Sequence, residues 1–182
     1  MTVAIGSRNV AVGALLAGVG GLLAIVGALL FPWYSVSGKS GGNSMSVDFK
    51  GMDSTWGILA LVLGIAAIAL AVVWIQEMKI LPAQTLYGIL IAVGVVIVLV
   101  AILGYVTDIF PFKASVTGAG VTATVDMSAI SGSKYTVVQK FVEDATKTSG
   151  VSGGFAIGFF LEVAAGIAIA VGGALGLTKK SA

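Results

Sequence analysis

The sequence predicts a four-span helical membrane protein carrying a β-rich cap on one side. Three observations predict it. Hydrophobic residues make up 58% of the 182-residue chain and charged residues only 10%, where soluble domains carry about 25% charge; the mean hydropathy is +1.08. Four stretches are long and apolar enough to cross roughly 30 Å of hydrocarbon, which takes about 20 residues each. The two longer segments between them alternate polar and apolar residues as strands do. The expected fold is one membrane domain over residues 1–182. It is a four-transmembrane-helix bundle with an extracytoplasmic β-sheet cap formed by two hairpins plus one amphipathic helix.

The spans fall at residues 10–31, 56–75, 86–106 and 153–177. The first three carry no charge, and the fourth carries one, Glu162. The first run does not read as a cleavable signal. Its apolar part exceeds an h-region of about 7–15 residues, and no small-x-small site follows. Phe31-Pro32-Trp33-Tyr34 follows instead. Proline ends a helix, and Trp and Tyr favour the headgroup layer. Trp33, Tyr34 and Trp56 are therefore expected as interface anchors.

Lysine and arginine near span ends set orientation. One side holds Arg8, Lys79, Lys179 and Lys180 against Glu77. The other holds Lys39, Lys50, Lys113, Lys134, Lys140 and Lys147, balanced by Asp48, Asp53, Asp108, Asp126, Glu143 and Asp144. Raw counts do not favour the first side, but its charges lie in short segments close to span ends, which count most. Both termini are expected in the cytoplasm, with segments 32–55 and 107–152 facing outward.

These two segments look related. The first span leaves through Phe31-Pro32-Trp33-Tyr34-Ser35-Val36-Ser37-Gly38 and the third through Phe110-Pro111-Phe112-Lys113-Ala114-Ser115-Val116-Thr117-Gly118. Ser46-Val47-Asp48 in one then matches Thr124-Val125-Asp126 in the other, with small shifts of register. Met45, Val47 and Phe49 alternate with Ser44, Ser46 and Asp48. Val121, Ala123, Val125 and Met127 alternate with Thr122, Thr124 and Asp126. Glycines around 38–42 and 118–120 supply turns. Each segment is expected to form a hairpin. A lone hairpin is marginal in water, so the two are expected to pair edge to edge. Within 133–148, Tyr135, Val138, Val142 and Ala145 recur at helical spacing among charged residues. That pattern predicts an amphipathic helix, capping the sheet or touching a membrane surface or partner.

Helices in lipid associate through small residues. The first span offers Gly20 and Ala24 among others, and the fourth has Gly172 and Gly176 in GxxxG spacing. Packing inside the bundle and homo-oligomerisation through the fourth span both fit. Asp53 or Ser54 is placed to cap the second span and Ser152 the fourth. Pro82 suits the first turn of the third.

Glu162 lies nine residues into the fourth run, roughly 13 Å along a helix. An intramembrane acid is costly and marks a functional candidate. Three roles fit: an ion or proton site, a bond to a partner subunit, or a neutral carboxyl held inside the bundle or facing a water-filled crevice. The other spans show no second midplane polar group for a relay.

Without histidine or cysteine, disulfides, Cys/His zinc sites, thiol nucleophiles and a Ser-His-Asp triad are excluded. No phosphate loop or dinucleotide fingerprint is present. The reading is therefore not an enzyme, with no cofactor. Asp48 and Asp126 occupy matching hairpin positions and are weak candidates for a shared cation such as Ca²⁺; two solvated strand-end acids are the favoured reading. The outer segments are neutral, which argues against nucleic-acid binding.

The layout of span, β-rich loop with Trp, span pair, second loop and final span resembles the claudin-type four-span fold. Trp33 and Trp56-Gly57 echo part of that family's first-loop signature. The cysteine pair is missing, however, and the loop is too short for the claudin four-stranded set. Junction functions therefore do not carry over. Phe31-Pro32-Trp33-Tyr34-Ser35-Val36 resembles the Pro-Trp-Tyr-Ser stretch after the first span of small uncharacterised prokaryotic four-span membrane proteins. That resemblance implies a prokaryotic plasma membrane. The expected role is an accessory or scaffolding subunit, or a self-associating component, with a lipid bilayer and protein subunits as partners. The alternative is a small oligomeric channel or transporter using Glu162.

Overall fold

The computed structural model describes residues 2–5, 8–40, 43–106, 113–118, 121–126, 138, 140–144 and 152–178. The chain opens with a hairpin of β1 (Thr2–Ile5) and β2 (Arg8–Ala11), which runs directly into helix α1 (Val12–Leu30). Next come β3 (Pro32–Ser40), β4 (Asn43–Lys50), a 3-10 turn (Gly51–Asp53) and α2 (Thr55–Ile75). Then follow α3 (Ala83–Val106), β5 (Lys113–Gly118), β6 (Val121–Asp126), β7 (Ser152–Phe155) and α4 (Ile157–Thr178). Each of α1 to α4 is long and apolar enough to span a membrane.

The spans start and stop where local chemistry requires. Pro32 cannot extend α1, and it pushes the preceding residue out of the helical region; Phe31 is accordingly extended at φ −111°. The Ser54 hydroxyl accepts from the Gly57 amide at 3.0 Å and donates to the Gly51 carbonyl at 2.9 Å. Of the two expected caps it is Ser54, not Asp53, that starts α2. The end of α2 is closed by Glu77 in the left-handed region, φ 53°. Its amide donates to the Trp74 carbonyl at 3.2 Å, and that of Met78 donates to the Val73 carbonyl at 3.1 Å, the Schellman pattern.

The expected pairing of the two hairpins is present. One five-stranded antiparallel sheet runs β6-β5-β4-β3-β7. Segment 32–55 supplies β3 and β4, and the segment from 107 onward supplies the other three. Val36, Val47 and Val116 lie opposite one another across β3, β4 and β5, with Val36 and Val47 buried. A register shift between Pro32 and Tyr34 explains why adjacent Trp33 and Tyr34 are both buried; a bulge lets two neighbouring side chains escape strict alternation. The last paired residues of the two hairpins are Ser40 with Asn43 and Gly118 with Val121. Of the helix expected over 133–148, Val138 and residues 140–144 are helical. Val138 and Val142 join the apolar core under the sheet with Tyr34, Val36, Val47 and Phe49, while Lys140, Glu143 and Asp144 are exposed. The remainder of that helix, including Tyr135 and Ala145, lies outside the described residues.

The fourth span is shorter than the sequence implied. Residues 153–155 belong to β7, where Ser35 pairs with Gly154 and Tyr34 with Phe155. Ser152 is therefore a strand residue and not the cap of α4; its hydroxyl lies 3.2 Å from that of Ser37, and the two share a hydrogen bond.

Helix packing follows glycine and alanine. On α1, Gly13, Gly20 and Gly27 recur every seven residues and meet Gly172, Ala165 and Gly158 of antiparallel α4. A Cβ on these glycines would lie 2.5, 2.8 and 3.3 Å from the respective carbonyl oxygens. The opposite flank of α4 repeats the device against α3. A Cβ on Gly166 would sit 2.6 Å from the Gly94 carbonyl oxygen, and one on Gly173 2.7 Å from that of Tyr87. Gly21 of α1 likewise faces Gly64 of α2, and Ala24 is buried beside it. Seven-residue spacing keeps such contacts on one stripe of each helix.

Gly172→Ala is expected to destabilise by about 1–3 kcal/mol, because the added methyl meets backbone that cannot yield. Gly88, whose Cβ would meet nothing within 4 Å, should accept alanine neutrally or with a gain of up to ~1 kcal/mol. Thermal unfolding of the two variants in detergent checks the contrast.

Candidate functional site

Glu162 is the buried charge-bearing side chain of the spans. It projects from α4 on the stripe that faces α1, between Gly158 and Ala165. It is 0% exposed, and neither carboxyl oxygen has a hydrogen-bond partner among the described residues. Gly27 makes room for it: a Cβ there would lie 3.2 Å from Glu162 Oε1. Because α4 begins at Ile157, the acid sits five residues below the helix start, about 7.5 Å rather than 13 Å. It thus lies beneath the sheet, closer to that end of the bundle than to its middle. The Trp56 indole nitrogen is likewise buried and unpartnered among the described residues. Buried polar atoms left this way usually mark water, an ion or a missing partner.

Of the expected anchors, Trp33 and Tyr34 are buried and do not face outward, while Trp56 is half-buried. Trp33 is 1% exposed and closes the junction between sheet and bundle. Its indole nitrogen donates to the Gly27 carbonyl at 3.2 Å. The ring lies against Gly51 and Gly158, where a Cβ would approach it to 2.6 and 2.8 Å. Tyr34 is buried among Phe49 and Phe155, with ring centroids 6.3 and 6.5 Å away, and Trp56 packs against the same core. These side chains tie the sheet to the helices. An amphipathic ring serves a protein interior as well as a headgroup layer, which is why the sequence pointed to the wrong surroundings.

The GxxxG pair is used internally. Gly172 faces α1, and a Cβ on Gly176 would strike the Tyr87 ring of α3 at 2.5 Å. Both glycines therefore serve the intramolecular alternative. Asp48 and Asp126 are not brought together. Asp48 lies opposite Ser35 and Ser115, Asp126 lies opposite Lys113, and β5 runs between their strands. The Asp48 carboxylate accepts from the Ser35 hydroxyl. The hairpins are related by translation along the sheet, so no two-fold axis joins the acids.

Two features escaped the sequence. Register assembles Ser152, Ser37, Ser46, Thr117 and Thr122 into one row across the sheet, and Ser35, Asp48, Ser115 and Thr124 into another. Each strand showed its hydroxyls, but only pairing aligns them. At the opposite end of the molecule, β2, the last turn of α2, the connection 76–82 and the start of α3 enclose a cavity of about 700 Å³. Trp74 and Tyr87 line it with ring centroids 4.5 Å apart. An aromatic in the last turn of one span and another early in the next was the available signal.

Glu162→Gln is expected to leave folding and assembly unchanged, read by unfolding midpoint and size-exclusion profile. Glu162→Met should raise stability by about 1–3 kcal/mol, since an apolar isostere needs no partner. A loss of stability in the Met variant would mean that the carboxyl is partnered in the membrane.

No protein-family model matches this chain, and no curated protein matches its sequence.

Proposed function

We propose that the chain is a non-catalytic integral membrane protein, an accessory or scaffolding subunit or self-associating component of a membrane assembly. We place it in a prokaryotic plasma membrane with both termini cytoplasmic and the five-stranded sheet outside. The observation that carries this reading is the closure of the bundle. Helix α4 meets α1 and α3 through glycine stripes at which a single added methyl would collide with backbone. Packing that tight suits a part that holds its shape. The partner surface on this reading is the sheet, with its rows of hydroxyls and the strands β6 and β7 at its edges. Among the described residues these edges pair with no further strand, and such edges are templates for another chain; the partners are protein subunits or a second copy, not nucleic acid. The Pro32-Trp33-Tyr34-Ser35 stretch supports the prokaryotic setting by resemblance.

One observation favours a second reading. The carboxyl of Glu162, unpartnered among the described residues, suits a small oligomeric channel or transporter.

Native mass spectrometry after mild extraction is expected to give a stable hetero- or homomeric assembly, and reconstituted liposomes are expected to show no ion flux. Flux abolished by Glu162→Gln would transfer the assignment to the second reading. The cysteine-free chain allows clean single-site labelling. Ser46→Cys is expected to react with an impermeant maleimide on intact cells, and Lys79→Cys only after permeabilisation.

A further inference from the structure

We propose that the cavity at the sheet-distal end binds one phospholipid whose headgroup carries both a phosphate and a primary ammonium, of the ethanolamine type. Its volume of about 700 Å³ lies within the roughly 300–1,000 Å³ of small-ligand sites. Its chemistry is divided as an amphiphile requires. The inner wall is apolar, with Val73, Trp74, Leu86 and Tyr87; at the rim stand the exposed side chains of Glu77 and Lys79. The cavity lies at the ends of two spanning helices, where lipid headgroups meet acyl chains. The seam below it is the one that an acyl chain can enter. Neighbouring helices elsewhere are drawn together by glycine, but α2 and α3 make the loosest contact of the adjacent pairs, and Leu70 of α2 shares one apolar cluster with Leu90 and Val93 of α3.

The rim charges select the headgroup. Lys79 offers a cation to the phosphate, and Glu77, two residues away on the same connection, offers a carboxylate to the ammonium. A primary ammonium donates hydrogen bonds to a carboxylate, whereas a trimethylated one has no N–H to give. A purely anionic headgroup meets Lys79 but is repelled by Glu77. Glu77 is also held at its position at a cost. It occupies the left-handed site that closes α2, where glycine is the usual residue and a side chain is strained. Strain of this kind concentrates where a side chain has a task.

The test uses the full chain purified in mild detergent and offered equal amounts of phosphatidylethanolamine, phosphatidylcholine and phosphatidylglycerol, with bound lipid counted by native mass spectrometry. One phosphatidylethanolamine per chain is expected to survive in preference to the other two. Glu77→Gln should remove that preference by about two- to fivefold, the scale of one solvent-accessible ion pair, without weakening phosphatidylglycerol. Lys79→Gln should weaken all three. Glu77→Gly relieves the backbone strain, so it should raise the unfolding midpoint while losing the preference, separating the charge from the fold. Equal retention of the three lipids, no retention, a preference for phosphatidylglycerol, or a preference indifferent to Glu77→Gln would overturn the proposal. So would free phosphoethanolamine competing as well as the lipid, which would make the site one for a soluble phosphoester.

Discussion

The structure depends on how closely the backbone of α4 approaches its two neighbours. In water, burial of apolar surface drives helices together; between lipid tails that drive is absent, and contact must come from shape. Gly158, Ala165 and Gly172 on one flank of α4, and Gly166 and Gly173 on the other, let α1 and α3 approach until carbonyl oxygens stand where side chains would otherwise be. The positions of α1 and α3 around α4 follow from these two stripes. The pairing also fixes the height at which β3 and β7 leave the bundle, so that they meet as adjacent strands.

The sheet is coupled to the helices by the same small residues. Gly51, Gly158 and Gly27 together accommodate Trp33, whose indole bonds to the α1 backbone. Gly57 is needed because the carbonyl of Gly51 occupies the place its Cβ would take. The Ser54 hydroxyl, buried between them, satisfies both backbone groups. The rings of Tyr34 and Phe49 are buried under the strands, and the exposed ring of Phe155 stacks on Phe159 beside them.

How much of this was legible in the sequence depended on whether the signal was local. Twenty apolar residues announce a span by themselves, and Val47 and Phe49 alternate visibly with serine and aspartate. Pro32 and Ser54 mark helix ends through their own chemistry. Residues 152–155, Ser-Gly-Gly-Phe, look the same whether they continue a span or pair with Tyr34, and only the partner strand decides. The hairpin of Thr2–Ile5 and Arg8–Ala11 was missed because Val10 and Ala11 merge into the apolar run that follows. Trp33 was placed in the wrong surroundings because the glycines that receive it are 18 and 125 residues away in the chain. Glu162 stood out at once, but its depth depended on where α4 begins, and that in turn depended on β7.

A single residue, Ala156, separates β7 from α4, and the Ala156 amide donates to the Trp33 carbonyl at 2.9 Å. The lid is thus joined rigidly to the central rod. A pull on the outermost strand becomes tension along the axis of α4, where the glycine ridges resist gradual slippage. Mechanical loading of this molecule would therefore produce either no displacement or an abrupt jump of whole helical repeats.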